Sequence, residues 1–226
     1  MSQPVVFSIP APDYNGIAAT QNITTSTGGY VVINGDLSNA LSEMNSAGGF
    51  RATLPGIQRS IGIFSTGDIS AVVFYASGVD TNGRVVTASF AGASGGSSAA
   101  SDSFATFTAE FHIINTLFST AAATSMFTVG TGATGATRFW TADTFANPFN
   151  VTVGVLTATI CSITVQDTPQ NPNTSTAPTT FSHATLQSVV ANQQSNYAYP
   201  VRFVRAIWTT NTASGVTSTV TIQQAG

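Results

Sequence analysis

Two runs rich in β-branched and aromatic residues, 70–79 and 84–91, are separated by Asp80-Thr81-Asn82-Gly83. Asn-Gly tolerates the positive φ angles of a tight type I′ turn better than other dipeptides, so this stretch predicts a β-hairpin. The same grammar recurs along the chain. Short apolar or alternating runs occupy 29–34, 59–66, 104–111, 149–157, 158–167, 197–208 and 217–223, with Gly, Pro and Asn between them. Alternation with period two puts successive side chains on opposite faces of a strand. So many short strands at this spacing predict an all-β fold of β-sandwich or jelly-roll-like modules. Helix is expected at most in two places: residues 37–44, with Asp36 as N-cap and Gly48-Gly49 as stop, and residues 183–196, which read equally as a loop or strand edge.

Composition sharpens this picture. Only 7% of the 226 residues are charged, lysine is absent, and the net charge is −3, whereas soluble domains carry about 25% charged residues. Hydroxyl and amide side chains must keep such a chain in water, and surfaces that become covered in an assembly show this depletion of Lys and Glu. Six scattered arginines do not form the cationic cluster that displaces counterions from phosphates, so nucleic acid is not an expected partner. Cys161 is the sole cysteine and permits no internal disulfide. No apolar run approaches the roughly 18 residues that span a bilayer, and no membrane partner is expected. Met1 to Pro12 lacks a basic segment followed by an apolar core, so synthesis in a cytoplasm is expected.

Punctuation suggests an organisation. Residues 1–27 hold Pro4, Pro10 and Pro12 among isolated apolar residues and read as an extended N-terminal arm. Its Pro4, Val5, Phe7, Ile9, Pro10 and Tyr14 are the candidate interface residues, expected to find their partners on a neighbouring chain. The Gly-rich stretch 130–137 reads as the boundary between a first β-rich domain, 28–137, and a second, 138–226. Residues 92–103 and 167–180 read as loops.

Motifs with chemical meaning fit poorly. Gly92-Ala93-Ser94-Gly95-Gly96 has the letters of a nucleophile elbow, but no helix follows to hold the serine on a strained turn. Gly130-Thr131-Gly132-Ala133-Thr134-Gly135 has dinucleotide-fingerprint spacing without the following helix or the later acid that holds a ribose. His112 and His183 read as hydrogen-bonded packing residues, Cys161 as an inert buried thiol, and Asp80 with Asn82 as turn residues rather than calcium ligands. The Asn-x-Ser/Thr triplets at Asn22, Asn150 and Asn173 carry no weight without a secretion signal. No catalytic residue, cofactor or metal is therefore nominated, and the chain is not expected to be an enzyme. A receptor- or glycan-binding module, using Trp140, Trp208 and Tyr197 as platforms, is the alternative from another class.

Three segments carry a resemblance. Residues 59–92, with the D-x-N-G turn, residues 130–153, with G-T-G-A-T before N-P-F-N-V, and residues 197–226, opening on Y-A-Y-P-V-R, resemble virion structural proteins of tailed bacteriophages. Members of that family usually have a Trp-containing aromatic stretch before the final strands, where this chain has Phe181-Ser182-His183. The resemblance implies a particle component on the head, a capsid decoration or cement protein, with no catalytic residues. Its expected partners are the major capsid protein and copies of itself, as a trimer or other homo-oligomer within the virion. A neck, tail or fibre-associated role is the structural alternative.

Overall fold

The computed structural model describes residues 3–44, 50–53, 57–94, 104–106, 109–157, 161–174, 178–211 and 217–225. Among these residues there is no helix, and all regular structure is β. The chain divides into two compact units, one formed by Met1–Ala11 with Ala133–Gly226 and the other by Pro12–Gly132. The division falls inside the expected boundary stretch 130–137. That stretch is not a loop but the end of a fifteen-residue strand, β11 (Ala123–Thr137), numbered with the others in chain order.

The Pro12–Gly132 unit holds the expected hairpin, β7 (Val73–Val79) and β8 (Val85–Ala91), paired Val79↔Val85 through Val73↔Ala91. Only Gly83 in the turn has a positive φ, +75°. The turn is therefore not type I′, which needs positive φ at Asn82 as well. Gly83 N–H bonds to Asp80 C=O at 3.0 Å and Asp80 N–H to Arg84 C=O at 2.9 Å, the pattern of a type I turn followed by a left-handed glycine bulge. β10 (Ile113–Ser119) pairs with β7, with β3 (Gly29–Tyr30) and with β5 (Phe50–Thr53), and β5 pairs with β4 (Ser38–Met44). The expected helix over 37–44 is thus a strand. A segment of two turns cannot repay helix nucleation, while pairing with β5 satisfies its backbone. Also in this unit, β2 (Ala18–Ile23) pairs with β11, and β6 (Ile57–Ser65) with β9 (Phe104–Thr106). Apolar side chains from both groups of strands meet in one core that includes Ile17, Ile61, Ile63, Phe74, Leu117 and Phe127. Phe74 and Phe127 touch edge to face at 5.5 Å, a geometry adding about 0.5–1.5 kcal/mol to the area they bury.

The other unit is sandwich-like. One sheet runs in the order β1 (Val5–Ile9), β18 (Ser218–Ala225), β13 (Asn150–Leu156) and β16 (Gln193–Tyr197). The second contains β15 (Phe181–Ser182), β14 (Cys161–Thr168) and β17 (Phe203–Asn211), with β12 (Trp140–Thr141) and the last residues of β11 also paired to β17. Val151, Val153, Val155, Val220 and Ile222 from the first sheet are buried, as are Ile163, Val165, Val204, Ala206 and Trp208 from the second. Residues 183–192 form no helix: they cross the free edge of β14, exchanging Ile163–Val189 hydrogen bonds of 2.9 and 2.7 Å.

The expected arm over 1–27 requires correction. Val5–Ile9 pairs in register with Ser218–Ile222 of its own chain, and Ala18–Ile23 belongs to the other unit's strands. Its isolated apolar residues are strand residues seen at every second position: Phe7 and Ile9 are buried while Val6 and Ser8 face out.

Candidate functional site

Of the interface residues expected from sequence, Phe7 and Ile9 fill the interior of their own unit, Val5 is partly buried beside them, and Pro4 and Pro10 lie exposed at the strand's ends. Tyr14, about half exposed, belongs with Phe64 to the Pro12–Gly132 unit and stacks edge to face on it at 4.5 Å. The structure does not gather these six into one patch. It instead brings forward the residues between them. Register across the four-stranded sheet aligns Val6, Thr221, Gly154 and Gln194 in one row, with Ser8, Thr219 and Leu156 in the next. On the other side of the first row, Gln223, Thr152 and Asn196 form a third. Every side chain in these rows is uncharged, and Val6 and Leu156 are more than half exposed. At the centre, a Cβ built on Gly154 meets nothing within 4 Å. Beside it lies a shallow depression of about 260 Å³ lined by Gly154, Val155, Leu156, Asn192, Gln193 and Gln194. Alternation within V-V-F-S-I was the signal that could have identified Val6.

An aromatic tip lies in the same unit. Gln224 grips the backbone of Asp143 twice, accepting from its N–H at 2.8 Å and donating to its C=O at 2.6 Å. The Asp143 carboxylate then accepts the Phe145 N–H at 2.9 Å, closing an Asx turn. Phe145 projects from this anchored turn 93% exposed.

The motifs set aside on sequence have structural explanations. Gly130 and Gly132 lie in β11, where the backbone around Asp13 and the side chain of Ser60 approach too closely to admit a Cβ. The Thr131 N–H donates to Asp13 C=O at 2.7 Å, and the Thr131 hydroxyl accepts the Asp13 N–H at 2.9 Å. The glycine spacing thus admits a neighbouring strand segment, not a pyrophosphate. His112 Nδ1 donates to Ile57 C=O at 3.0 Å. Cys161 is a buried free thiol, and Ser94 is exposed at the end of a described segment whose continuation, 95–103, lies outside the described residues. Among the described residues no three His, Cys, Asp or Glu side chains cluster as metal ligands, and no helix is long and apolar enough to cross a membrane. Of the three aromatic platforms, Trp208 and Tyr197 are buried and only Trp140 is partly exposed.

Sequence reasoning missed the surroundings of Asp167. Pairing of β14 with β15 sets Asp167 opposite Phe181, and pairing with β17 sets it opposite Val204, which faces Trp140 in β12. Directly paired residues of antiparallel strands share a face, so Phe181, Asp167, Val204 and Trp140 form one row. Asp167 has the same strand parity as buried Ile163 and Val165. Tyr197 packs edge to face on His183 at 4.6 Å and on Tyr199 at 5.8 Å. His183 Nδ1 accepts the Thr185 N–H at 3.2 Å, which leaves Nε2 as the donor to Asn196 C=O at 3.3 Å. Burial holds the Asp167 carboxyl above its ordinary 3.8, against weaker opposing effects from Tyr197 and His183. Burial and the adjacent Asp167 charge together push the Tyr197 phenol far up and raise that of Tyr199. No protein-family model matches the chain, and no curated protein is significantly similar to it.

Proposed function

We propose that this chain is a structural component of a tailed-bacteriophage particle, a capsid decoration or cement protein without catalytic activity, whose partners are the major capsid protein and further copies of itself. The carrying observation is the uncharged outward face of the β1–β18–β13–β16 sheet, with Val6 and Leu156 exposed on it. A pleated surface of Thr, Ser, Asn and Gln can be covered without desolvating a charge, and its amide and hydroxyl groups can exchange water for partner hydrogen bonds. Phe145, on its anchored turn, offers an aromatic anchor of the type that dominates contact energies. Selective binding to the expanded shell would stabilise that state by mass action, with no chemical step.

The test is sedimentation of the purified protein with expanded and unexpanded capsids. Wild-type chain should saturate the expanded shell, and the double variant Thr152→Glu/Thr221→Glu should fail to bind while keeping its circular dichroism spectrum. Failure of the wild type to bind either form rejects the reading. Hundreds of copies per particle indicate the shell, and a dozen or fewer the neck or tail.

A further inference from the structure

We propose that Asn15 is the site at which the folded chain deamidates, and that its isoaspartyl product loosens the attachment of residues 13–17 to β11. Asparagine is thermolabile, most so before glycine, whose bare Cα lets the following backbone nitrogen close on the asparagine Cγ. The sequence holds three such dipeptides, Asn15-Gly16, Asn34-Gly35 and Asn82-Gly83. Hydrogen bonding separates them. The Gly35 N–H donates to Ile17 C=O at 3.0 Å, and Asn34 Oδ1 accepts the Ala19 N–H at 2.9 Å, so nucleophile and electrophile are both held. The Gly83 N–H donates to Asp80 C=O at 3.0 Å, which holds the nucleophile. At Asn15, which is exposed, neither the side-chain amide nor the Gly16 N–H has a hydrogen-bond partner among the described residues. The bend there is fixed through a different group, the Asn15 N–H, which donates to Asp13 Oδ1 at 3.2 Å.

In the reaction, hydroxide takes the Gly16 N–H proton and the nitrogen attacks Asn15 Cγ. The new C–N bond closes a succinimide while Nδ2, protonated by water, leaves as ammonia. Water then adds to one of the two imide carbonyls. Opening the Cγ–N bond gives aspartate. Opening the bond from the main-chain carbonyl carbon gives isoaspartate, in which the chain runs on through Cγ and is longer by one carbon. The net exchange is amide plus water for carboxylic acid plus ammonia, with no oxidation or reduction. The extra carbon falls inside a clamped segment. Asp13 exchanges two hydrogen bonds with Thr131, the Ile17 N–H donates to Val129 C=O at 3.0 Å, and Gly16 C=O accepts the Leu37 N–H at 2.7 Å. A longer main chain takes these partners out of register and leaves some of them unpaired. The reaction needs only the chain and water, so it is independent of the capsid reading.

The experiment is incubation of the purified full-length protein in mildly alkaline buffer, followed by peptide mapping with fragmentation that distinguishes aspartate from isoaspartate. The native chain should convert Asn15 on the order of tenfold faster than Asn34, where two hydrogen bonds must open first, and several-fold faster than Asn82. In urea the three rates should converge. The isoaspartyl fraction, separated chromatographically, should unfold at lower urea than fresh chain. Asn15→Gln, in which ring closure is much slower, should keep its circular dichroism spectrum and stay unmodified at that position after the same incubation. Faster conversion of Asn34 or Asn82 than of Asn15 in the native chain, the same rate ratios in urea as in buffer, or no conversion of Asn15 in buffer while the unfolded chain converts would each overturn the proposal. An unchanged urea midpoint for the isoaspartyl fraction would overturn the loosening. No capsid enters the assay, so failure here and failure of the structural reading are separable.

Discussion

Asp80, at the hairpin tip of the Pro12–Gly132 unit, and Asp167, near the end of β14 in the other, occupy similar places in antiparallel sheets, yet their surroundings are opposite. Asp80 is only 8% exposed, and its carboxylate accepts the N–H groups of Asn82 and Arg84 at 2.8 and 2.9 Å and the Arg84 guanidinium at 2.9 Å. The tip is tied down further where Gln58 accepts the Thr81 N–H and hydroxyl and donates to Glu110 at 2.8 Å. Asp167 has no ion-pair partner among the described residues, and burial works against its charge. A carboxylate whose acceptors are filled locally is architecture. At Asp167 burial outweighs the opposing effects of Tyr197 and His183, so the charge is held at a cost.

Substitutions can break this contrast. The largest effect is expected from Asp80→Ala, which strands two backbone N–H groups and the Arg84 guanidinium. It should cost about 2 kcal/mol in urea denaturation; a loss near zero would mean that the tip is not held through its carboxylate. Two glycines extend the comparison, since at both Gly83 and Gly154 an added Cβ would find no atom within 4 Å. Only Gly83 has positive φ. Gly83→Ala should therefore destabilise by about 1 kcal/mol, whereas Gly154→Val should stabilise the isolated chain by about 0.5 kcal/mol through strand propensity. The same Gly154→Val should reduce capsid occupancy by filling the centre of the contact face. Loss of stability at Gly154 would show that the surface is not open.

The smallest effect belongs to Asp167→Asn, and its sign is opposite to that at Asp80. The folded chain holds the Asp167 proton more tightly than the unfolded chain, so the ionised form costs stability above the raised pKa. That cost fades as pH falls through it and is gone below 3.8. Asp167→Asn should raise the melting temperature at pH 7 by less than Gly83→Ala lowers it, and the gain should vanish near pH 3. A gain that persists at pH 3 would place its origin in packing rather than in charge.

Much of the fold was legible because period-two patterning is a local property. β6, β7, β8, β13, β14 and β18 lie within a few residues of the runs that predicted them. Failures arose where pairing at long range decided the outcome. Residues 37–44 carry weak helical letters, but β5 captures them as a strand. G-T-G-A-T-G looked like a flexible break because the reason for its glycines, the approach of Asp13 and Ser60, is remote in sequence. The contact face was half legible, since its lack of charge is compositional while its membership depends on register. The surroundings of Asp167 were not legible at all. They come from β14, β15 and the residues following β16, and nothing in a list of nine carboxylates marks one whose pKa burial raises.

Strand β1 is separated in sequence from its partner β18 by the entire Pro12–Gly132 unit and most of its own. During synthesis Val5–Ile9 must therefore wait unpaired until Ser218–Ala225 has left the ribosome, and loop closure of that length makes it a late contact. Removing either strand would uncover the apolar residues that the other helps to cover, so the pair acts as a clasp that shuts only after everything between them has been translated.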